Sequence, residues 1–212
     1  MDAGLVDTIL PMLETHQPPV VFKLLGTLRM LVDGQSDLAL SLLQNEKLLA
    51  TLVEWARKTP DMIGVNSEAS RLMAWLIKNG YRSQTDKEHK IEPLKTFVAV
   101  DGTVDVIVKM LDSAHLVMQN EALMALTLIT VFLSAQETEL SKIFISSDLG
   151  AALVSFIQRI SEMDRTTNEI VENLNALVKA LNNFEAMKTH LSEHNIEEKL
   201  KIVPRIKELA TL

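Results

Sequence analysis

The chain has no cysteine among its 212 residues. This excludes disulfides, zinc–thiolate sites and a cysteine nucleophile, and is compatible with a reducing compartment. Aromatic residues are scarce, 4% against 47% hydrophobic residues in all. The core must therefore come from Leu, Ala, Val, Ile and Met, the residues of ridged helix–helix packing. Only six prolines and seven glycines occur, which leaves long stretches free to be helical. No alternating β-branched run bounded by hairpin turns is present, which argues against a sheet. The N-terminal segment MDAGLVDTILPML lacks a basic start and carries Asp2 and Asp7, unlike a signal peptide. The apolar run LMALTLITVFL, residues 123–133, is too short to span a membrane. A cytoplasmic protein is expected, with nuclear, mitochondrial or ER placement arising through partners.

Chemistry is missing too. No glycine-rich phosphate loop, H-E-x-x-H helix, G-x-S-x-G elbow or EF-hand loop occurs. His190 and His194 stand four apart, so one helical face could offer both to a metal. Two exposed histidines beside a carboxylate are better explained as solvated surface. Glu137 with Glu139, or Glu162 with Asp164, has the look of an acid/base pair. These acids fall near expected helix starts, where the helix dipole already favours them. The expectation is a non-enzyme with no catalytic residue, metal or cofactor.

What the sequence does have is a recurring unit. Long helices are predicted at PPVVFKLLGTLRMLV (18–32), VNSEASRLMAWLIKN (65–79), LVMQNEALMALTLIT (116–130) and TNEIVENLNALVKAL (167–181). Their starts lie at armadillo- or HEAT-like spacing. Short helices are predicted between them near 5–14, 36–44, 47–58, 91–100, 103–112, 137–146 and 150–160. Two more are predicted near 184–192 and 195–209, with Pro204 kinking or shortening the last. The fold class that follows is all-α, a right-handed armadillo-type α-solenoid of four to five helical repeats in one domain, 1–212. Its units fall at about 1–34, 35–80, 91–134 and 136–182, with a partial unit at 184–212. The polar segment YRSQTDKEHK, 81–90, reads as a mobile insertion. Glycine marks turns: Gly34 and Gly80 as helix stops, and Gly4, Gly102 and Gly150 as the turn before each second helix. Ser147-Asp148 supplies N-cap chemistry.

Such a stack presents a surface for partners rather than a pocket for chemistry. Taking the core spacing as register, a ladder at i, i+4, i+8 on the long helices is expected to face the concave surface of the solenoid. It reads Phe22, Gly26, Met30; Ser67, Arg71, Trp75; Asn120, Met124, Leu128; and Asn168, Glu172, Ala176, with Arg29, Thr127 and Asn175 beside it. Trp75 next to Arg71 would make a binding anchor, although a register error of one position would bury it. Arg71, Trp75, Asn120, Glu121 and Glu172 are the candidate partner contacts. Net charge is −7, concentrated in residues 101–185, where twelve acids meet five bases. That disfavours nucleic acid and favours a basic partner; a solubilising face would explain the same charge.

PPVVFKLLGTLRMLVDGQ (18–35), KLLATLVEWARK (47–58), SEASRLMAWLI (67–77) and above all VMQNEALMALTLI (117–129) resemble the C-terminal armadillo repeats of the small-G-protein GDP dissociation stimulator (SmgGDS) family. The likeness is clear over residues 3–130, thins beyond 135, and its divergence fits an invertebrate member. It implies a module that binds Ras-, Rap- and Rho-type small GTPases with polybasic C-termini, and mitochondrial GTPases as further candidates. It also implies promotion of GDP release and chaperoning, with no direct membrane insertion. Family members are much longer, so the chain reads as a C-terminal portion, without the family's prenyl pocket, whose open end would favour self-association. The alternative from the residues alone is a general adaptor or import-type scaffold for extended basic peptides.

Overall fold

The computed structural model describes residues 3–15, 17–58, 64–81, 87–163 and 167–203. Among them every regular element is helical, and two compact units divide the chain, Met1–Val106 and Ile107–Leu212.

In the first unit α1 (Ala3–Met12) is followed by α2 (Pro18–Leu31), α3 (Ser36–Leu43), α4 (Glu46–Arg57), α5 (Val65–Gly80) and α6 (Lys87–Ala99). The start of α7 (Thr103–Lys109) closes it. The Pro18-Pro19 pair opens α2, where a missing N–H costs no helical bond. Asn45 caps α4 by accepting the Leu48 N–H at 3.0 Å. The long helix α5 packs against α2, α3 and α4. It buries Val65, Ala69, Leu72, Met73, Ala74, Leu76 and Ile77, apolar on more than one side because neighbours lie on more than one side. Two polar ties lock the corner. Buried Asn79 accepts the Gly34 N–H at 3.0 Å and donates to the Trp75 carbonyl. The indole of buried Trp55 donates to the Leu13 carbonyl at 3.0 Å.

The second unit continues α7 into a 3-10 turn, then runs through α8 (Leu116–Phe132), α9 (Glu137–Ser146), α10 (Leu149–Ser161), α11 (Asn168–Leu181), α12 (Glu185–Glu193) and α13 (Ile196–Leu200). Thr167 caps α11 through its hydroxyl. A carboxylate oxygen of Glu137 accepts the N–H of Glu185, the first residue of α12, at 2.7 Å.

Inside each unit, helices of one class stack on the next helix of the same class. Long helix α2 lies on long helix α5, and α8 on α11. First helices pair as α3 with α6 and α9 with α12, and second helices as α10 with α13. This is the packing of a helical-repeat stack, in which no unit buries its faces alone. The expected all-α class and the expected helix order both hold. Among the described residues no single helix is long and apolar enough to cross a membrane.

Several local expectations are corrected. Gly80 does not stop α5 in a left-handed turn: it is the last helical residue, and a Cβ there would come within 3.0 Å of Leu40. Its smallness serves packing. Gly4 and Gly150 lie inside α1 and α10 rather than in turns; Gly102, at φ +83°, and Gly34, at φ +70°, do adopt left-handed backbone as turn residues should, as does Gly64 at φ +90°. Asp148 does stand before α10, but at φ 57° and without a side-chain capping bond. The first helix of the third repeat starts at Lys87, so 87–90 are helix and not insertion. Residues 82–86, Asp164 and Pro204 lie outside the described residues.

Gly102 generates a stability prediction. A Cβ at this position would sit 2.2 Å from the Arg57 guanidinium, which pairs with Asp105 at 3.0 Å. Gly102→Ala combines left-handed strain with displacement of that pair and should cost about 2 kcal/mol. Urea unfolding checks it, and an unchanged midpoint would contradict the turn geometry.

Candidate functional site

All twelve ladder positions escape full burial. The two units build different surfaces from them.

In the first unit, α2 and α5 carry four cations, Lys23, Arg29, Arg71 and Lys78, and one carboxylate, Glu68. The Arg29 Nε atom lies 2.9 Å from Glu68 Oε2, and Arg71 approaches the same carboxylate at 3.5 Å. The guanidinium of Arg29 stacks 4.8 Å from the Trp75 ring centre, and Lys78 Nζ lies 5.3 Å from it. Trp75 is therefore half-buried, its face occupied by cations. Phe22, Lys23, Gly26, Thr27, Arg29, Met30 and Glu68 line an open depression of about 450 Å³. Met30 stands 62% exposed at its rim.

In the second unit the sign inverts. Helices α8 and α11 carry three carboxylates, Glu121, Glu169 and Glu172, and one cation, Lys179. Asn120 donates to Glu169 at 2.8 Å and accepts from Asn173 at 2.7 Å, so both ends of its amide tie α8 to α11. Glu172 is exposed on α11.

Of the predicted contacts, Arg71 and Trp75 share the first unit's face, and Glu172 is open on the second unit's face. Asn120 is on the face but engaged between helices. Glu121 is a correction: it is only 7% exposed, one position past the ladder and turned toward the interior, where a partner's surface does not reach. Glu68, not among the candidates, is the hub of the first face. Its signal was present in the sequence. Ser67-Glu68, Asn120-Glu121 and Asn168-Glu169 put a glutamate at one register in three long helices, and two of the three bridge to the preceding long helix.

Glu137 caps α12 and Glu139 pairs with Lys142 at 2.9 Å. Burial pushes the Tyr81 phenol well above its usual range, offset in part by a hydrogen bond with the Leu94 backbone. His190 and His194 are not the solvated pair expected. Their ring centres lie 4.5 Å apart and both pack against Gly150, where a Cβ would fall 2.6 Å from His190 Nε2. That nitrogen is buried without a protein partner, and His194 Nδ1 faces the His190 carbonyl at 3.0 Å. No cluster of three metal-ligating residues occurs among the described residues.

No family model matches the chain. It is 45% identical, along its entire length, to the GTPase-GDP dissociation stimulator vimar of Drosophila melanogaster, of which it covers 37%. Over 85% of its length it is 37% identical to Rap1 GTPase-GDP dissociation stimulator 1-B of Xenopus laevis, covering 27% of that protein. Against the 1-A form the identity is 36% over the same share. The chain thus resembles GDP dissociation stimulators, as its long helices suggested, and the likeness runs beyond residue 135. It spans well under half the length of these curated relatives. A designed armadillo repeat protein aligns with 92% of the chain, covering 90% of its own, at a TM-score of 0.45 and 15% identity.

The histidine pair generates a pH prediction. Burial first, and then the His194 charge, hold His190 below its ordinary 6.5, against weaker opposite pulls from Glu193 and Asp148. As pH falls through 6.5 the unfolded chain binds the proton before the folded chain does. The contribution is therefore intact above 6.5 and is lost toward the lower folded value. Urea midpoints of the wild type should fall more steeply from pH 7.5 to 5.5 than those of His190→Leu; parallel slopes would show that the imidazole is not held neutral.

Proposed function

We propose that this chain is a small-GTPase-binding segment of a guanine nucleotide exchange factor and chaperone of the GDP dissociation stimulator type. The observation that carries this reading is the whole-length likeness to a GTPase-GDP dissociation stimulator at 45% identity. The surfaces support it. Exposed helix faces are what the described residues offer, and on this reading the action is non-covalent. A segment that holds a GTPase more tightly without nucleotide than with GDP lowers GDP affinity by linkage alone. The acidic α8–α11 face suits the polybasic tail found on Ras- and Rho-type GTPases, with Glu172 as its exposed contact. Arg71 and Trp75 are contacts on the other unit's face. Mitochondrial GTPases belong to the same proposal, as does a cytoplasmic location. So does self-association, for which α1 leaves Leu5 and Met12 each 45% exposed. The import-type peptide scaffold is the weaker reading, because the Asn120 amide is committed to Glu169 and Asn173.

The test is binding to Rap and Rho GTPases in nucleotide-free and GDP-bound forms, with and without the basic tail, alongside release of fluorescent GDP. Nucleotide-free GTPase should bind at least about tenfold more tightly, a coupling of about 1.4 kcal/mol. Glu172→Lys should weaken binding of the tailed form and leave the tailless form unchanged. Equal affinity for both nucleotide states, with free tail peptide competing fully, would leave only a basic-peptide scaffold.

A further inference from the structure

Asn79-Gly80 is the one Asn-Gly step in the sequence. Asparagine is a thermolabile residue, and this step is its most reactive setting. The backbone nitrogen that follows an asparagine attacks the side-chain amide carbon. Glycine obstructs that attack least, having no Cβ and the freest backbone. The structure puts the step at the buried C-terminal end of α5. Asn79 is 2% exposed, and both ends of its amide are engaged. The oxygen accepts the Gly34 N–H at 3.0 Å, and the nitrogen donates to the Trp75 carbonyl at 3.0 Å. The Gly80 carbonyl accepts from the Ser36 hydroxyl at 3.1 Å, and Leu40 and Leu43 lie against Gly80. Gly80 is still helical, and the Tyr81 N–H closes the last turn on the Ile77 carbonyl at 3.1 Å. A helical nitrogen is held in the backbone ladder. Swinging the Gly80 nitrogen onto the Asn79 amide carbon would break that turn and both amide bonds. The contacts that join the end of α2 to α5 therefore also silence the reactive step.

We propose that Asn79-Gly80 is a fold-gated deamidation site, inert in the packed chain and reactive once the corner between α2, α3 and α5 opens. In the open state the Gly80 nitrogen gives its proton to solvent base and bonds to Asn79 Cγ. The Cγ–Nδ2 bond breaks, and Nδ2 leaves as ammonia. Water then opens the resulting cyclic imide at either carbonyl, giving aspartate or isoaspartate. The balance is amide plus water to carboxylic acid plus ammonia, with no oxidant or reductant. The step is one-way because the product no longer fits the corner. A carboxylate at position 79 has no hydrogen to give the Trp75 carbonyl, and burying its charge there is costly. Isoaspartate adds a carbon to the α5 backbone and breaks its ladder at Gly80. The modification falls on the helix pair that carries Arg71 and Trp75, and it does not rest on the GTPase reading.

The experiment follows Asn79 by peptide mapping and mass spectrometry in the full chain, held at neutral pH in buffer and in denaturing urea. Conversion in urea should outpace conversion in buffer by about tenfold or more, because a reaction confined to the open state is scaled by the open fraction. Leu40→Ala removes a contact on Gly80, so it should speed conversion in buffer and leave the rate in urea unchanged. Should that variant fail to fold, Ser36→Ala, which removes the bond to the Gly80 carbonyl, takes its place. Gly80→Ala should slow conversion in urea, where packing no longer matters. Asn79→Asp should unfold at lower urea than the wild type. Equal rates in buffer and urea, no conversion of Asn79 in urea, a rate in buffer indifferent to loosening of the corner, or an Asn79→Asp chain as stable as the wild type would overturn the proposal.

Discussion

Everything in this protein depends on long helices that are apolar on more than one side and can be buried only by a helix of their own kind. Helix α5 shows the scale. It buries seven apolar side chains from Val65 to Ile77, and burying a Leu, Ile, Val or Met is worth about 1.5–3 kcal/mol each. A single interhelix hydrogen bond contributes about 0.5–1.5 kcal/mol, and an exposed ion pair less. Apolar stacking therefore supplies the cohesion. The polar ties, Asn79 to Gly34 and Trp55 to Leu13, select one arrangement of the packed helices because an unpaired buried amide or indole would be costly.

The same division applies on the outward faces. Glu68 with Arg29, and Glu169 with Asn120 and Asn173, are equivalent bridges between consecutive long helices. They occupy polar groups that a sequence reading would assign to a partner. What remains for recognition is the surround: cations, a half-covered indole and an apolar recess in one unit, exposed acids in the other.

Helix positions were readable because hydrophobic period and punctuation agree. Pro18-Pro19 opens α2, Asp33-Gly34 ends it, and Asp101-Gly102 turns the chain before α7. Two of the misreadings share one cause. Gly80 and Gly150 look like backbone signals in the sequence, but they are small because something presses on them: Leu40 on Gly80, and the two imidazoles on Gly150. The sequence marks that a residue is small and is silent on which neighbour requires it. The ladder register was legible from the core spacing, and Glu121 shows its tolerance: one position, about 100° around a helix, separates a surface residue from one turned inward.

By itself the sequence determined the all-helical class, the repeat, which positions of the long helices escape full burial and the likeness to GDP dissociation stimulators, because periodicity and motif words are local properties. Tertiary structure decided which polar residues are spent inside the stack, that the two histidines pack on Gly150, and that Arg29, Arg71 and Glu68 gather beside Trp75. Those depend on residues some 39 to 53 positions apart meeting in space, and no local pattern encodes which partner each will meet.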